Sequence, residues 1–185
     1  EQLSEADIIA FVIGNEIDAY LEDEIAWQQY AQFFEAVRAH VRLRLPKTAI
    51  GVKVTYANLM QGTTLSLSNS LSRIVELSDA VMVSYYPLSA DFRVKPVSDV
   101  EGELNALAKR YADKAIYLLE AGYPSGSQSG SSEKEQAAFV ATIFRFWDER
   151  LEQVKLVNFV WLHDLTPAEV EALTRYYAIP SEAFV

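Results

Sequence analysis

Five short apolar runs punctuate the chain, at residues 8–13, 49–54, 80–84, 115–119 and 156–162. They lack the polar alternation of a half-exposed strand, so they predict strands covered on both faces, as in a parallel sheet. They recur at intervals of roughly 30–40 residues, the length of a βα unit, and helical patterns fill the spaces between them. The clearest of these sets Trp27, Tyr30, Phe34, Val37 and Val41 on one stripe and leaves Gln28, Gln29, Glu35 and Arg38 off it, the signature of a helix with one buried face. Three later helices are predicted from a hydroxyl residue followed three positions on by glutamate: Ser98…Glu101, Ser132…Glu135 and Thr166…Glu169. In that spacing each side chain satisfies an orphan amide of the first turn. Pro167 adds a proline at a first helical position, where its missing N–H costs nothing.

Strand and helix alternating at this period imply βαβ units around a parallel sheet. Two α/β architectures fit: an open doubly wound sheet and a (β/α)8 TIM barrel. The first run is not followed by the glycine-rich phosphate loop of nucleotide-binding open sheets. Polar residues with chemical potential follow several runs at once, which a barrel exploits at the C-terminal ends of its strands. The expectation is a single domain over residues 1–185, a partial barrel of about five βα units. It reads as the C-terminal part of a larger barrel with three units upstream. A homo-oligomer or a complementing chain across the open edge is the other way to close it. The Ser129-Gly-Ser-Ser stretch reads as a loop, not a domain linker.

Composition narrows the function classes. Half the residues are hydrophobic and 12% aromatic, enough for a substantial core, and the net charge of −10 disfavours nucleic acid or an anionic membrane as partner. There is no cysteine, so disulfides, thiol catalysis and thiolate metal sites are excluded, and the compartment is left open. The first residues show no basic stretch leading into an apolar run, and no apolar segment reaches the length of a membrane span. Secretion or export to a periplasm would need a leader on the full-length chain; otherwise a cytoplasmic location is expected.

Two carboxylates stand out, because each ends a predicted strand: Glu16 after Gly14-Asn15, and Glu120 before Ala121-Gly-Tyr-Pro-Ser125. Strands that end in carboxylates carry them out of the core, and two such strands in one sheet aim both into one cleft. That is the equipment for cleaving a glycosidic bond. Asp18 reads either as a support for Glu16 or as a solvated residue at a helix start. His163 and Asp164 invite a metal or triad reading. With His40 as the only other histidine, though, no zinc spacing exists, and no Gly-x-Ser-x-Gly elbow supplies a nucleophilic serine. Neither a metal nor a cofactor is expected.

Gly14-Asn15-Glu16 and Glu120-Ala-Gly-Tyr-Pro, three units apart, resemble the retaining glycoside hydrolases of the large clan (clan A) built on (β/α)8 barrels. In that clan the acid/base glutamate follows an asparagine at the end of the fourth strand, and the nucleophile glutamate ends the seventh. Ser84-Tyr-Tyr-Pro87 resembles the sixth-strand segment of the endo-β-1,4-galactanase family, and Glu120–Ser125 resembles the nucleophile segment of the β-1,3-glucanase family. Val160-Trp-Leu-His-Asp164 departs from the galactanase pattern. The resemblance implies that Glu120 is the nucleophile, held by Tyr85 or Tyr86, with Tyr85 the slightly better candidate. It implies that Glu16 is the general acid/base and that Asn15 donates to the sugar 2-hydroxyl. Trp161 is then the floor under the sugar ring, Tyr56 and Tyr123 line the cleft wall, and His163 lies near substrate. The implied activity is hydrolysis of β-linked oligo- or polysaccharides with retention. Two alternatives stay open: a catalytically inactive carbohydrate-binding or structural barrel, and a different α/β enzyme built on an open sheet.

Overall fold

A computed structural model describes residues 7–21, 23–61, 65–89, 93–160 and 165–177. Five strands form one sheet: β1 (Ala10–Asn15), β2 (Ala49–Thr55), β3 (Ala80–Tyr85), β4 (Ala115–Ala121) and β5 (Val154–Phe159). The helices are α1 (Glu24–Arg44), α2 (Tyr56–Gln61), α3 (Leu65–Leu77), α4 (Val97–Arg110), α5 (Glu133–Asp148) and α6 (Pro167–Tyr177), with short 3-10 turns at Ile17–Ala19 and Ser127–Ser129. The strand order is β1-β2-β3-β4-β5, and every neighbouring pair is parallel. A doubly wound sheet reverses its order at a switch point; this sheet never does. Strict sequential order is that of a barrel wall, and the chain is a partial (β/α)8 barrel.

The two faces of the sheet are unequal. Ile50, Val52 and Val54, Val81, Val83 and Tyr85, and Ile116 and Leu118 point to the helices and join the main core with Trp27, Phe34, Leu104 and Phe139. The opposite face carries a small cluster of Ala80, Met82 and Tyr117, with Ala10, Leu119 and Leu156 packed beside it. The predicted stripe of α1 is the buried one: Trp27, Phe34 and Val41 are buried, and Tyr30 and Val37 pack against the same core.

Both strands that end in the candidate carboxylates break their regular pleat just before them. On β1, Val12 pairs with Gly51 and Asn15 with Lys53, so three steps on one strand match two on the other. On β4, Leu118 pairs with Val83 and Glu120 with Ser84, which leaves Leu119 as the extra residue. An uninterrupted period of two would send Asn15 and Glu120 toward the helices. One inserted residue reverses that parity and turns both to the inner face, next to Lys53 and Ser84. Gly14 makes the first bulge possible. Its φ is +92°, and a Cβ there would lie 2.6 Å from Ile17 Cγ2 and 2.7 Å from the Tyr30 hydroxyl. That hydroxyl donates to the Ile13 carbonyl and braces the bulge from α1, and burial pushes the Tyr30 phenol up to about 12.

Three expectations for element boundaries need correction. The first strand begins at Ala10 rather than Ile8 and runs on to Asn15. The last strand begins at Val154 rather than Leu156 and ends at Phe159. Its exposed Lys155 breaks the apolar run without breaking the strand, because it is the extra residue of a bulge between Val154, which pairs with Ile116, and Leu156, which pairs with Tyr117. The helix expected to be capped by Ser98 starts at Val97 after Pro96, with no side-chain cap, and Ser98 donates to Asp99 instead. The other two caps form as predicted: Ser132 accepts from the Glu135 amide and Thr166 from the Glu169 amide, both at 3.3 Å.

Asp79, in the turn before β3, ties the helical layer to the sheet. It accepts from Arg38 at 2.7 Å, from Arg42, and from the Ile50 amide at 2.8 Å. Burial pushes its carboxyl up, but the Arg38 and Ile50 hydrogen bonds and the two guanidinium charges prevail and hold it below the ordinary 3.8. A lowered native value means that stability is present above the unfolded value and lost as pH falls through the native one. Asp79→Asn is therefore expected to cost about 2 kcal/mol at neutral pH. In urea titrations across pH, the gap to wild type should narrow as pH falls below the ordinary carboxylate range.

Candidate active site

The strand ends build the site from one register row. Ser84 of β3 lies opposite Thr55 of β2 and Glu120 of β4, and its hydroxyl donates to Glu16 Oε1 across from β1. Glu120 is held at both oxygens: Lys53 Nζ pairs with Oε1, and the Tyr86 hydroxyl donates to Oε2 at 2.9 Å. Burial raises the Tyr86 phenol far above its ordinary value, and the charges of Glu120 and then Glu16 raise it further. Tyr86 therefore stays a donor and senses both carboxylates. Glu16 and Glu120 each contact a residue at the end of β3, one to Ser84 and the other to Tyr86. Val12, Gly14, Asn15, Lys53 and Leu119 line an adjoining open depression of about 350 Å³.

Glu16 sits in a strained conformation. Its φ of 47° and ψ of 44° are left-handed, and it is the only non-glycine with positive φ among the described residues. Such a geometry costs of order 1 kcal/mol and persists only when its surroundings dictate it. Asp18 supplies the constraint. Its carboxylate accepts from the Thr55 amide at 3.1 Å, the Thr55 hydroxyl at 2.6 Å and the Asn58 side-chain amide at 2.9 Å. These bonds pin the 3-10 turn after Glu16 to the junction of β2 and α2. Of the two readings of Asp18, the supporting one is correct.

Tyr86 depends on a glycine. A Cβ on Gly122 would meet Tyr86 Cε1 at 2.5 Å and the Val160 carbonyl at 2.8 Å, so the ring reaches Glu120 only because position 122 has no side chain.

Three tyrosines expected near the carboxylates lie elsewhere. Tyr85 is fully buried on the helix side, donating to Glu103 Oε2 at 2.8 Å. With Ser84 facing inward, strand alternation turns Tyr85 outward, and Tyr86, just past the strand end, takes the contact with Glu120. Tyr56 opens α2, so its side chain turns with the helix, donates to the Glu103 carbonyl at 2.9 Å and meets Tyr85 edge-on. Tyr123 stacks on Phe139 with centroids 5.2 Å apart and donates to the Lys95 carbonyl at 2.8 Å. All three belong to the packing between sheet and helices. Asn15 stays with the depression, opposite Lys53. Trp161, His163 and Asp164 lie outside the described residues.

Sequence reasoning assigns no role to two polar residues of the site. Lys53 is 4% exposed on the inner face of β2, and Ser84 is 2% exposed beside it. The signal for Lys53 was present: a lysine between Val52 and Val54, inside a run otherwise fit for burial, demands a charged partner. Among the described residues, no group of three or more His, Asp or Glu side chains is placed to hold a metal ion.

The profile of the family described as glycosyl hydrolase family 53 matches residues 2–160. No curated protein matches the sequence. Among solved structures, the chain is similar to a β-glucuronidase from Ruminococcus gnavus in complex with uronic deoxynojirimycin, at TM-score 0.56 and 13% identity over 85% of this chain. It is also similar to a GH113 β-1,4-mannanase complex, at TM-score 0.51 and 19% identity over 82% of this chain. It spans only 26% and 44% of those two chains.

Proposed function

Because the chain belongs to glycosyl hydrolase family 53, we propose that its inner strand ends carry the reacting groups of a retaining, endo-acting β-glycosidase. In this reading the chain supplies five βα units of a barrel whose remaining units close the open edges of β1 and β5 and complete the cleft. The substrate is a β-linked oligo- or polysaccharide. The observation that carries the reading is the double bulge, which turns Asn15 and Glu120 inward and sets Glu16 against Ser84, near the end of β3, and Glu120 against Tyr86, just past it.

The chemistry follows from the contacts. A Glu120 oxygen attacks the anomeric carbon, a glycosyl ester forms, and the bond to the leaving oxygen breaks as Glu16 delivers its proton to that oxygen. Glu16 then takes a proton from water, whose oxygen attacks the same carbon, and the ester breaks to return the Glu120 carboxylate. The net change is addition of water across the glycosidic bond. Ser84 and the Asp18-braced turn aim Glu16, Tyr86 aims Glu120, and Asn15 in the depression faces the 2-hydroxyl of the bound sugar.

The test is a screen of β-1,4-galactan, β-1,3-glucan and β-1,4-mannan with the full-length protein. Release of oligosaccharides from at least one of them is expected. Tight oligosaccharide binding that survives Glu16→Gln, with no new reducing ends after prolonged incubation, would instead establish a binding barrel.

A further inference from the structure

We infer that Lys53 is a catalytic residue of the second chemical step, the one that releases Glu120 from the sugar; this rests on the hydrolase reading above. Lys53 lies in the middle of β2, on the inner face, with 4% of its surface exposed. Its Nζ contacts Glu120 Oε1, while Tyr86 occupies Oε2. Its side chain also lines the depression that holds Asn15. A buried ammonium is tolerated only beside a compensating charge, and Glu120 provides it.

That charge is not constant through the reaction. Glu120 is a carboxylate before attack, part of a neutral ester in the glycosyl-enzyme, and a carboxylate again after hydrolysis. An ammonium at Oε1 stabilises the carboxylate present at both ends of the cycle relative to the ester between them. The same contact therefore restrains Glu120 as a nucleophile and favours it as a leaving group when water attacks. Removing the charge should stabilise the ester relative to the free enzyme and slow its hydrolysis. A lysine that only fills space or braces β2 would not divide the two steps in this way.

The test uses the full-length protein and a 2,4-dinitrophenyl β-glycoside of whichever sugar it turns over. With that leaving group, departure needs little protonation and the second step is exposed. For Lys53→Met the expected result is a kcat lower by about 10- to 100-fold, the scale of one charge-assisted hydrogen bond. KM should fall with it, and a burst of dinitrophenol close to one equivalent should precede steady state. A second variant controls for folding. Lys53→Cys alkylated with 2-bromoethylamine restores an ammonium at nearly the lysine length, and alkylation with iodoacetamide leaves the site neutral. None of these 185 residues is a cysteine, and any cysteine elsewhere in the full-length protein is replaced by serine first.

Recovery of kcat and loss of the burst with the first reagent alone would support the role. Equal falls in kcat and kcat/KM without a burst, or recovery with both reagents, would overturn it and leave Lys53 a structural ion pair. Absence of turnover by wild type on every glycoside would overturn the hydrolase reading and this role together, a result distinct from the previous two.

Discussion

Glu120→Gln is expected to abolish hydrolysis, lowering kcat by about 10⁴-fold or more, as loss of a reacting nucleophile does. The side chain keeps its size and can still accept from Tyr86, so the fold and the oligosaccharide affinity should persist. What disappears is the negative oxygen that forms the ester. The substitution also leaves the buried Lys53 ammonium without its opposite charge, so a modest loss of stability should accompany the loss of rate. Both are measured on one preparation, by reducing-sugar release and by urea unfolding. Turnover at the wild-type rate would remove Glu120 from the mechanism.

Glu16→Gln is expected to act unevenly, and the unevenness identifies its role. General acid catalysis contributes about 10²–10⁴-fold where the leaving group needs a proton. On a polysaccharide the variant should therefore lose about that factor. On a dinitrophenyl glycoside the first step needs little acid, so the glycosyl-enzyme should still form and then persist for want of a base to activate water. Added azide needs no deprotonation and should restore turnover, yielding a β-glycosyl azide. Equal losses on both substrates, with no response to azide, would show that Glu16 is not the acid/base.

The strand–helix order was legible because buried parallel strands write themselves as uninterrupted apolar runs: β2, β3 and β4 start at the expected residue, β1 two residues later and β5 two residues earlier. The fifth starts early because Lys155, which interrupts the apolar run, is the extra residue between the paired Val154 and Leu156. The two carboxylates were legible as strand ends, but the way they come to face inward was not. Parity along β4 sends Glu120 toward the helices, and only the extra residue at Leu119 reverses it. Such a bulge is a property of register between strands, not of one segment. The same limit explains the tyrosines: the pair at 85 and 86 had to split between two faces, and only the inward direction of Ser84 decides which one meets Glu120. Tyr56 and Tyr123 follow strands, as cleft residues do, yet their backbones turn early into the helical layer. Lys53 could have been found by asking what neutralises a lysine in a buried strand, since its answer, Glu120, lies two strands away.

Covalent trapping tests the central claim most directly. A 2-deoxy-2-fluoro β-glycosyl donor with a good leaving group slows both steps and slows ester hydrolysis enough for the adduct to be digested and mapped by mass spectrometry. The predicted result is one equivalent of label on the peptide containing Glu120, absent in Glu120→Gln and formed with release of one equivalent of leaving group. Label on a different carboxylate, or steady hydrolysis with inverted anomeric configuration and no adduct, would contradict the pairing of Glu16 with Glu120 as acid/base and nucleophile.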